Sequence, residues 1–272
     1  MTTLWITGAG GVVGGKLVEQ AARGGRYDRI RPLSHAPAPD LAVEWTALDL
    51  GDREAVREQA RLAPPDVVVN AAAMTGVDAC ETRRAEARRA NADAPRWLAE
   101  VCRDRGAHLL HVSTDYVFPG DDAQPGPYAE DAPSRAINYY GQSKLAGERA
   151  IAEVCGADSP YTIVRTALVY GLGRRANFVT WLAENQRTGV YHSAGPDLVG
   201  RHEWALAIAN HFALDTSLID WVTSAELAQP ALRPLRSGLT CARLLAEPDA
   251  PRPRGVARGL TEIDWLAQTS RS

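Results

Sequence analysis

Runs of lysine or arginine are missing from this 272-residue sequence, and its formal net charge is −3. Such a chain offers no electrostatic footprint for nucleic acid or for an anionic membrane surface. Its four cysteines, Cys80, Cys102, Cys155 and Cys241, have neither paired nor metal-ligand spacing, and read as single thiols in a reducing compartment. No charged-then-apolar segment precedes Leu4-Trp5-Ile6, and no apolar run reaches the roughly 18 to 20 residues of a membrane span. Internal repeats are absent, and no carboxylate cluster suggests a metal site. These absences predict a soluble, cytoplasmic protein with a small molecule as its partner. The length suits one large domain or two fused ones.

The order of the chain then predicts a fold. Residues 3–7 are a β-type run, followed by Gly8-Ala9-Gly10-Gly11-Val12-Val13-Gly14 and a helical segment from Lys16. Strand, glycine turn and helix is the arrangement whose free backbone N–H groups bind a pyrophosphate. Gly8 allows the tight turn, Gly11 the approach of phosphates and Gly14 close packing of helix on strand, with Val12 and Val13 in the same loop. A second strand over 28–34 ends at Ser34 and His35. A site selective for NAD places a carboxylate there, but none occurs until Asp40. That favours NADPH, with NADH as the alternative; Arg31 is either a phosphate partner or a solvated strand residue. Asp49 and Leu50, after a strand over 43–48, fall where an adenine edge would lie.

A helix over 52–62 leads to the apolar strand 66–70, and Ala71-Ala72-Ala73 then lets backbone lie against a flat ligand. A long helical stretch carries Asn91, a further candidate cofactor contact, and ends at Gly106. Residues 108–112 form the next strand, with Ser113 and Thr114 at its carboxyl end, the edge where open α/β sheets bind ligands. His108 and His111 alternate with apolar residues and are expected inside the sheet. Strands alternating with helices predict a doubly wound parallel sheet. The loop over 118–137 is long enough to fold across a substrate.

Tyr140 stands four residues before Lys144 on a helix-forming segment, so phenol and ammonium share one face. A cation beside a phenol stabilises its phenolate, and the remaining ammonium donors can hold ribose hydroxyls. Tyr139 is the rival, one residue further from the lysine.

Together, Gly8-x-x-Gly11-x-x-Gly14, Asn70-Ala71-Ala72-Ala73, Ser113-Thr114-Asp115-Tyr116-Val117-Phe118 and Tyr140-Gly141-Gln142-Ser143-Lys144-Leu145-Ala146-Gly147-Glu148 resemble the extended short-chain dehydrogenase/reductase superfamily, and within it the dTDP-4-dehydrorhamnose reductase family. Arg165-Thr166-Ala167-Leu168-Val169-Tyr170-Gly171, Asn177-Phe178-Val179 and Arg233-Pro234-Leu235 continue the likeness. The resemblance implies a Rossmann domain over 1–170 and a small substrate-binding subdomain over 171–272. It implies Tyr140 as proton donor to a ketone, Lys144 as the group that lowers the tyrosine's pKa and holds the ribose, and Thr114 as partner of the developing alkoxide. Strand alternation turns Ser113 to the other face. Related 4,6-dehydratases carry Thr-Asp-Glu where this chain has Thr114-Asp115-Tyr116, which disfavours dehydration.

Two departures stand out. Leu168 occupies a position where the family has tryptophan, and the sequence passes from Glu184 almost at once to Gly189, without the family's intervening strand, Asp-Gln motif and helix. The expectation is an NAD(P)H-dependent reductase of a nucleotide-activated 4-keto-6-deoxy sugar, in a homodimer as family members often are. A reductase of a smaller ketone and a non-catalytic NADP-binding regulatory protein are the alternatives. In the tail, residues 202–212 and 259–267 read as helices, and Trp204 and Trp221 as packing residues.

Overall fold

Alternation along the first strand divides the core in two. In β1 (Thr3–Thr7), Leu4 and Ile6 point to one face and Trp5 to the other, because successive strand side chains alternate. In the computed structural model, which describes residues 1–35, 43–169 and 178–269, six further strands follow. They are β2 (Arg29–Ser34), β3 (Thr46–Ala47), β4 (Val67–Asn70), β5 (His108–Thr114), β6 (Tyr161–Thr166) and β7 (Gly189–Ser193). All pair in parallel in one seven-stranded sheet of order β3-β2-β1-β4-β5-β6-β7. The order reverses between β1 and β4, where Thr7 lies opposite Asn70 and Asn70 opposite His111.

Helices cover both faces, as an all-parallel sheet requires. On one side α1 (Val12–Gly24) and α7 (Phe178–Glu184) bring Leu17, Val18, Ala21, Leu182 and Ala183 onto Leu4, Ile6, Val69 and Val164. On the other, α2 (Arg53–Leu62), α5 (Ala94–Arg105) and α6 (Tyr139–Cys155) bring Val56, Leu98, Ala99 and Ile151 onto Trp5, Val68 and Leu109. The Trp5 indole N–H donates to the Ala63 carbonyl at 3.0 Å, which settles its one polar atom inside that layer. Two short helices, α3 (Val77–Thr82) and α4 (Arg84–Arg88), and a π-type turn (Arg89–Asp93) lead into α5.

Beyond β7 the chain forms α8 (Arg201–His211), α9 (Ala242–Ala246) and α10 (Val256–Thr269). This part is stitched to the long loop after β5. Gly120 accepts from Arg236 N–H at 2.8 Å, Tyr128 N–H donates to Gly238 at 2.9 Å, and Thr240 N–H returns to Tyr128 at 2.8 Å. Phe118 and Tyr128 stack at 4.2 Å beneath these bonds. Among the described residues no helix is long and apolar enough to cross a membrane.

Several expectations are corrected. The third strand shrinks from 43–48 to Thr46–Ala47, its only register with β2 being at Leu33 and Ser34. The first helix starts four residues earlier than Lys16, at Val12, so that the glycine loop opens directly into it. The last helix begins at Val256 and runs to Thr269, longer than 259–267. Trp221, expected to pack, is 68% exposed. Asp40, Tyr170, Gly171 and Asn177 lie outside the described residues. The first residue of β7 comes after the expected 170/171 boundary, so the second segment supplies a strand to the main sheet.

Candidate active site

The glycine loop sits over the reversal point of the sheet. Gly8 has φ +66°, and a Cβ there would come within 2.7 Å of the Ala72 nitrogen; a Cβ on Gly14 would collide with the Gly8 carbonyl. Both positions therefore need glycine. The loop opens on a cleft of about 3000 Å³ between the carboxyl edge of the sheet and the segments after β7. That is larger than the roughly 300–1,000 Å³ of a typical small-molecule site. Gly8, Gly11, Val12, Val13, Gly14, Ser34, His35, Asp49, Leu50, Ala71, Ala72 and Ala73 line it, and so do Thr114, Tyr140 and Lys144.

Asn91 is the exception. It is fully buried and absent from the cleft wall; its amide accepts from Met74 N–H at 2.8 Å and donates to the Met74 carbonyl and the Ser143 hydroxyl, both at 3.0 Å. It braces the loop after β4 against α6 instead of facing a ligand. Arg31 also stays off the wall, and the Asp49 carboxylate is engaged by Arg89 at 2.5 Å and by Gly51 N–H at 2.9 Å.

Helix α6 is set in place by its first turn. Asn138 caps it, accepting from Gly141 N–H at 2.8 Å, and Gly141 leaves room for the Tyr116 carbonyl. Tyr140 then comes near enough to Thr114 for that hydroxyl to favour its phenolate. Tyr139 turns away: its N–H donates to Glu81 at 2.7 Å, and its ring lies under Arg84 at 4.9 Å. Lys144 is 1% exposed and donates to the Val112 carbonyl at 2.7 Å, with the His111 Nε2 at 3.1 Å.

Burial controls both ionisations. The Tyr140 phenol is pushed up to about 12, first by burial, with the Thr114 hydroxyl opposing and the Asp115 charge reinforcing it. The Lys144 amine is pushed down to about 8 by burial, against the pull of Glu148. Lys144, the expected partner of the phenol, is here directed at Val112 and His111. A phenol so held is protonated at neutral pH, the form a general acid needs.

Beneath the strand end, Ser113 donates to Glu148 at 2.5 Å, on the face opposite Thr114 as alternation predicts. Glu148 is gripped by Arg165 through Nη2 at 2.7 Å and Nε at 3.1 Å, and that guanidinium lies 5.1 Å from the Phe118 ring. Sequence reasoning missed Asp115, which is 7% exposed, meets the Thr114 hydroxyl at 3.2 Å and is raised by burial with Ser237 and Arg201 opposing. It missed His111 as a neighbour of Lys144 as well. The available signal was position: both flank Ser113-Thr114 at the carboxyl end of β5.

A seven-stranded parallel sheet in this order, with a glycine loop after β1 and a Tyr/Lys pair facing the end of β5, defines an extended short-chain dehydrogenase/reductase fold. The family model described as the RmlD substrate binding domain matches residues 1–188 and 180–254. The chain belongs to that family, the family of the dTDP-4-dehydrorhamnose reductases.

A dTDP-4-dehydrorhamnose reductase of Streptomyces griseus is 36% identical over 279 residues, covering 88% of this chain and 85% of the relative. A crystal structure titled as a dTDP-4-dehydrorhamnose reductase of Clostridium acetobutylicum superposes with a TM-score of 0.82 at 25% identity, covering 98% of this chain and all of the other. One from Bacillus anthracis, solved in complex with NADP, gives 0.80 at 24% identity over 98% and 100% of the two chains. The 279 aligned positions outnumber the 272 residues here although only 88% of them are spanned, so the relative carries residues this chain lacks. The two matched stretches overlap at 180–188, between the start of α7 and β7, where the sequence shows its omission.

Proposed function

We propose that the chain is an NADPH-dependent reductase that converts the ketone of a nucleotide-activated 4-keto-6-deoxy sugar to an alcohol. The carrying observation is the meeting of Thr114, Tyr140 and Lys144 in the cleft that the glycine loop opens. The residues fit a dinucleotide. Gly8 and Gly14 let the loop turn back tightly on its own backbone, which any Cβ would strike, the start of α1 offers free N–H groups, and no Asp or Glu adjoins Ser34 and His35 in sequence before Asp40 to repel a 2′-phosphate. In this reading Gly11, Val12 and Val13 hold the pyrophosphate, Ser34 and His35 the adenosine ribose, Asp49 and Leu50 the adenine edge, and Ala71 to Ala73 the middle of the molecule. When bound, the nicotinamide supplies hydride chemistry.

Tyr140 donates its phenolic proton to the carbonyl oxygen, and the Thr114 hydroxyl holds that oxygen as charge develops. Lys144, as the ammonium, binds ribose hydroxyls and favours the phenolate left behind. The segments over 171–272 form the substrate wall, a homodimer is the assembly, and the cytoplasm is the compartment. NADPH oxidation with dTDP-4-keto-6-deoxyglucose, with Tyr140→Phe alongside, tests the reading; turnover that the variant abolishes supports it.

The omission before β7 favours a second reading, a smaller ketone. The same assay across ketones without a nucleotide decides between the two. Cofactor binding with no turnover on any ketone leaves a binding-only role.

A further inference from the structure

Lys144 has a neighbour that the reductase chemistry does not require. The His111 imidazole is fully buried, with Nδ1 2.9 Å from the Asn70 amide nitrogen and Nε2 3.1 Å from the Lys144 amine. Asn70 is itself oriented by its surroundings. Its Oδ1 accepts from the Thr7 hydroxyl at 2.6 Å and from the Ala72 backbone N–H at 3.2 Å. A hydroxyl can reverse its role, but a backbone N–H cannot. The oxygen of Asn70 must therefore face Ala72, and its NH₂ group must face His111.

A chain of consequences follows. Nδ1 of His111 accepts a hydrogen bond from the Asn70 amide, so the ring's own proton sits on Nε2, and a donor points at the Lys144 nitrogen. A neutral amine can accept that proton while donating to the Val112 carbonyl at 2.7 Å. An ammonium cannot, because it has three donors and no lone pair. To keep its donors off that N–H, the ammonium form has to aim them at the cleft, which Lys144 lines.

We propose that His111, locked by Asn70 and Ala72 as the Nε2–H tautomer, is a positioning residue that meets the Lys144 amine with a donor and thereby steers its ammonium form into the cleft. This rests on the reductase reading for its functional meaning, but not for its geometry.

The other groups around the amine are accounted for. Glu148 lies one turn along α6 and favours the ammonium, while being tied to Arg165 of β6 and Ser113 of β5. Tyr140 is on the same helix, with Asp115 reaching it from the end of β5. Thr7 of β1 and Asn70 of β4 are uncharged. Burial and the Lys144 charge keep His111 well below the usual imidazole value, so it stays neutral beside the lysine.

The chain contains only two lysines, Lys16 and Lys144, so lysine labelled at the ε-carbon gives a spectrum in which Lys144 can be followed alone. Nitrogen NMR of the full chain reads the His111 tautomer directly. The expected result is a proton on Nε2 and a Lys144 midpoint near 8. In Asn70→Asp the carboxylate accepts from Nδ1–H, Nε2 becomes an acceptor, and the Lys144 midpoint rises by about one pH unit.

In a His111→Phe background the same Asn70→Asp change loses most of that rise. A proton on Nδ1 in the wild-type chain overturns the proposal, and so does a rise that persists without the imidazole, since it then comes from charge through space. If the variants fail to fold, the wild-type tautomer still decides. Both readouts are taken without turnover, so a failed reductase assay is a separate result.

Discussion

Asn138 joins two parts of the chain that lie 94 residues apart: its Oδ1 caps α6 at Gly141, and its Nδ2 donates to the Leu232 carbonyl at 2.8 Å. The first turn of the helix that carries Tyr140 is thus held by the segment that builds the far wall of the cleft. Asn138→Ala is expected to cost about 1 kcal/mol of stability through the lost cap, and to lower kcat more than that loss suggests, because Tyr140 sits two positions on. Urea unfolding and steady-state kinetics measure the two effects. An intact kcat in a destabilised variant means the cap does not set the tyrosine.

Removing the phenol hydroxyl isolates the proton-transfer step. Tyr140→Phe is expected to reduce kcat by at least about 10²-fold, the contribution of a positioned general acid, while NADPH binding stays within a few-fold. Tyr139→Phe should leave kcat nearly unchanged, since Tyr139 is held by Glu81 and Arg84. Fluorescence titration with NADPH beside the turnover assay checks both. Equal losses in the two variants would refute the assignment of the donor.

Lys144 makes the site unstable in order to work. Its amine titrates at about 8 in the folded chain against 10.5 for the free side chain, so between these values the unfolded chain binds more protons. Stability from this group therefore rises with pH across that window, and below about 8 the burial penalty on the ammonium is carried in full. Lys144→Met is expected to abolish turnover, and to be more stable than the parent at pH 7 by a margin that shrinks as pH climbs from 8 towards 10.5. Denaturant midpoints of the pair across this range test the sign; a margin that grows with pH contradicts it.

Much of this site was legible because its signals are local. The glycine spacing from Gly8 to Gly14 dictates a turn, and the four-residue step from Tyr140 to Lys144 dictates a shared face, whatever the rest of the chain does. Asp115 and His111 were not legible as site residues, because what matters about each is a partner distant in sequence: Ser237 and Arg201 for the first, Asn70 and Lys144 for the second. Asn91 misled for the same reason. A polar residue on a helical stretch after Ala71-Ala72-Ala73 looks like a ligand contact until Met74 and Ser143 are seen to use it up. Trp221 misled because aromatic rings usually pack, and only the tertiary structure reveals it at the open side of the cleft.

The buried pair beneath the site is expected to dominate local stability. The side chains of Arg165 and Glu148 are 8% and 5% exposed, and three atom pairs join them within 3.2 Å. Glu148→Gln leaves an uncompensated guanidinium in the core and should cost about 3–5 kcal/mol. Ser113→Ala removes one hydrogen bond to the same carboxylate and should cost about 1–3 kcal/mol. Chemical denaturation orders the two; the reverse order means that Ser113, and not Arg165, is the essential partner.

Helix α7 lies between β6 and β7 and covers one face of the sheet. Parallel neighbours need a crossover that covers the sheet, and between β6 and β7 the helix among the described residues is α7, Phe178–Glu184. Leu182 is fully buried and Ala183 nearly so, and both sit in the cluster formed with Leu17, Val18 and Ala21 of α1. Both side chains therefore contribute to the packing on that flank, beside Val179 and Trp181. Leu182→Ala is expected to cost about 2–5 kcal/mol, against about 0.5 kcal/mol or less for Leu235→Ala, whose side chain is 72% exposed on the cleft wall. Because α1 begins at the glycine loop, loosening α7 should also weaken NADPH binding, which Leu235→Ala should leave unchanged. A Leu182→Ala chain that keeps its full denaturation midpoint and cofactor affinity shows that the sheet does not depend on α7 as its cover.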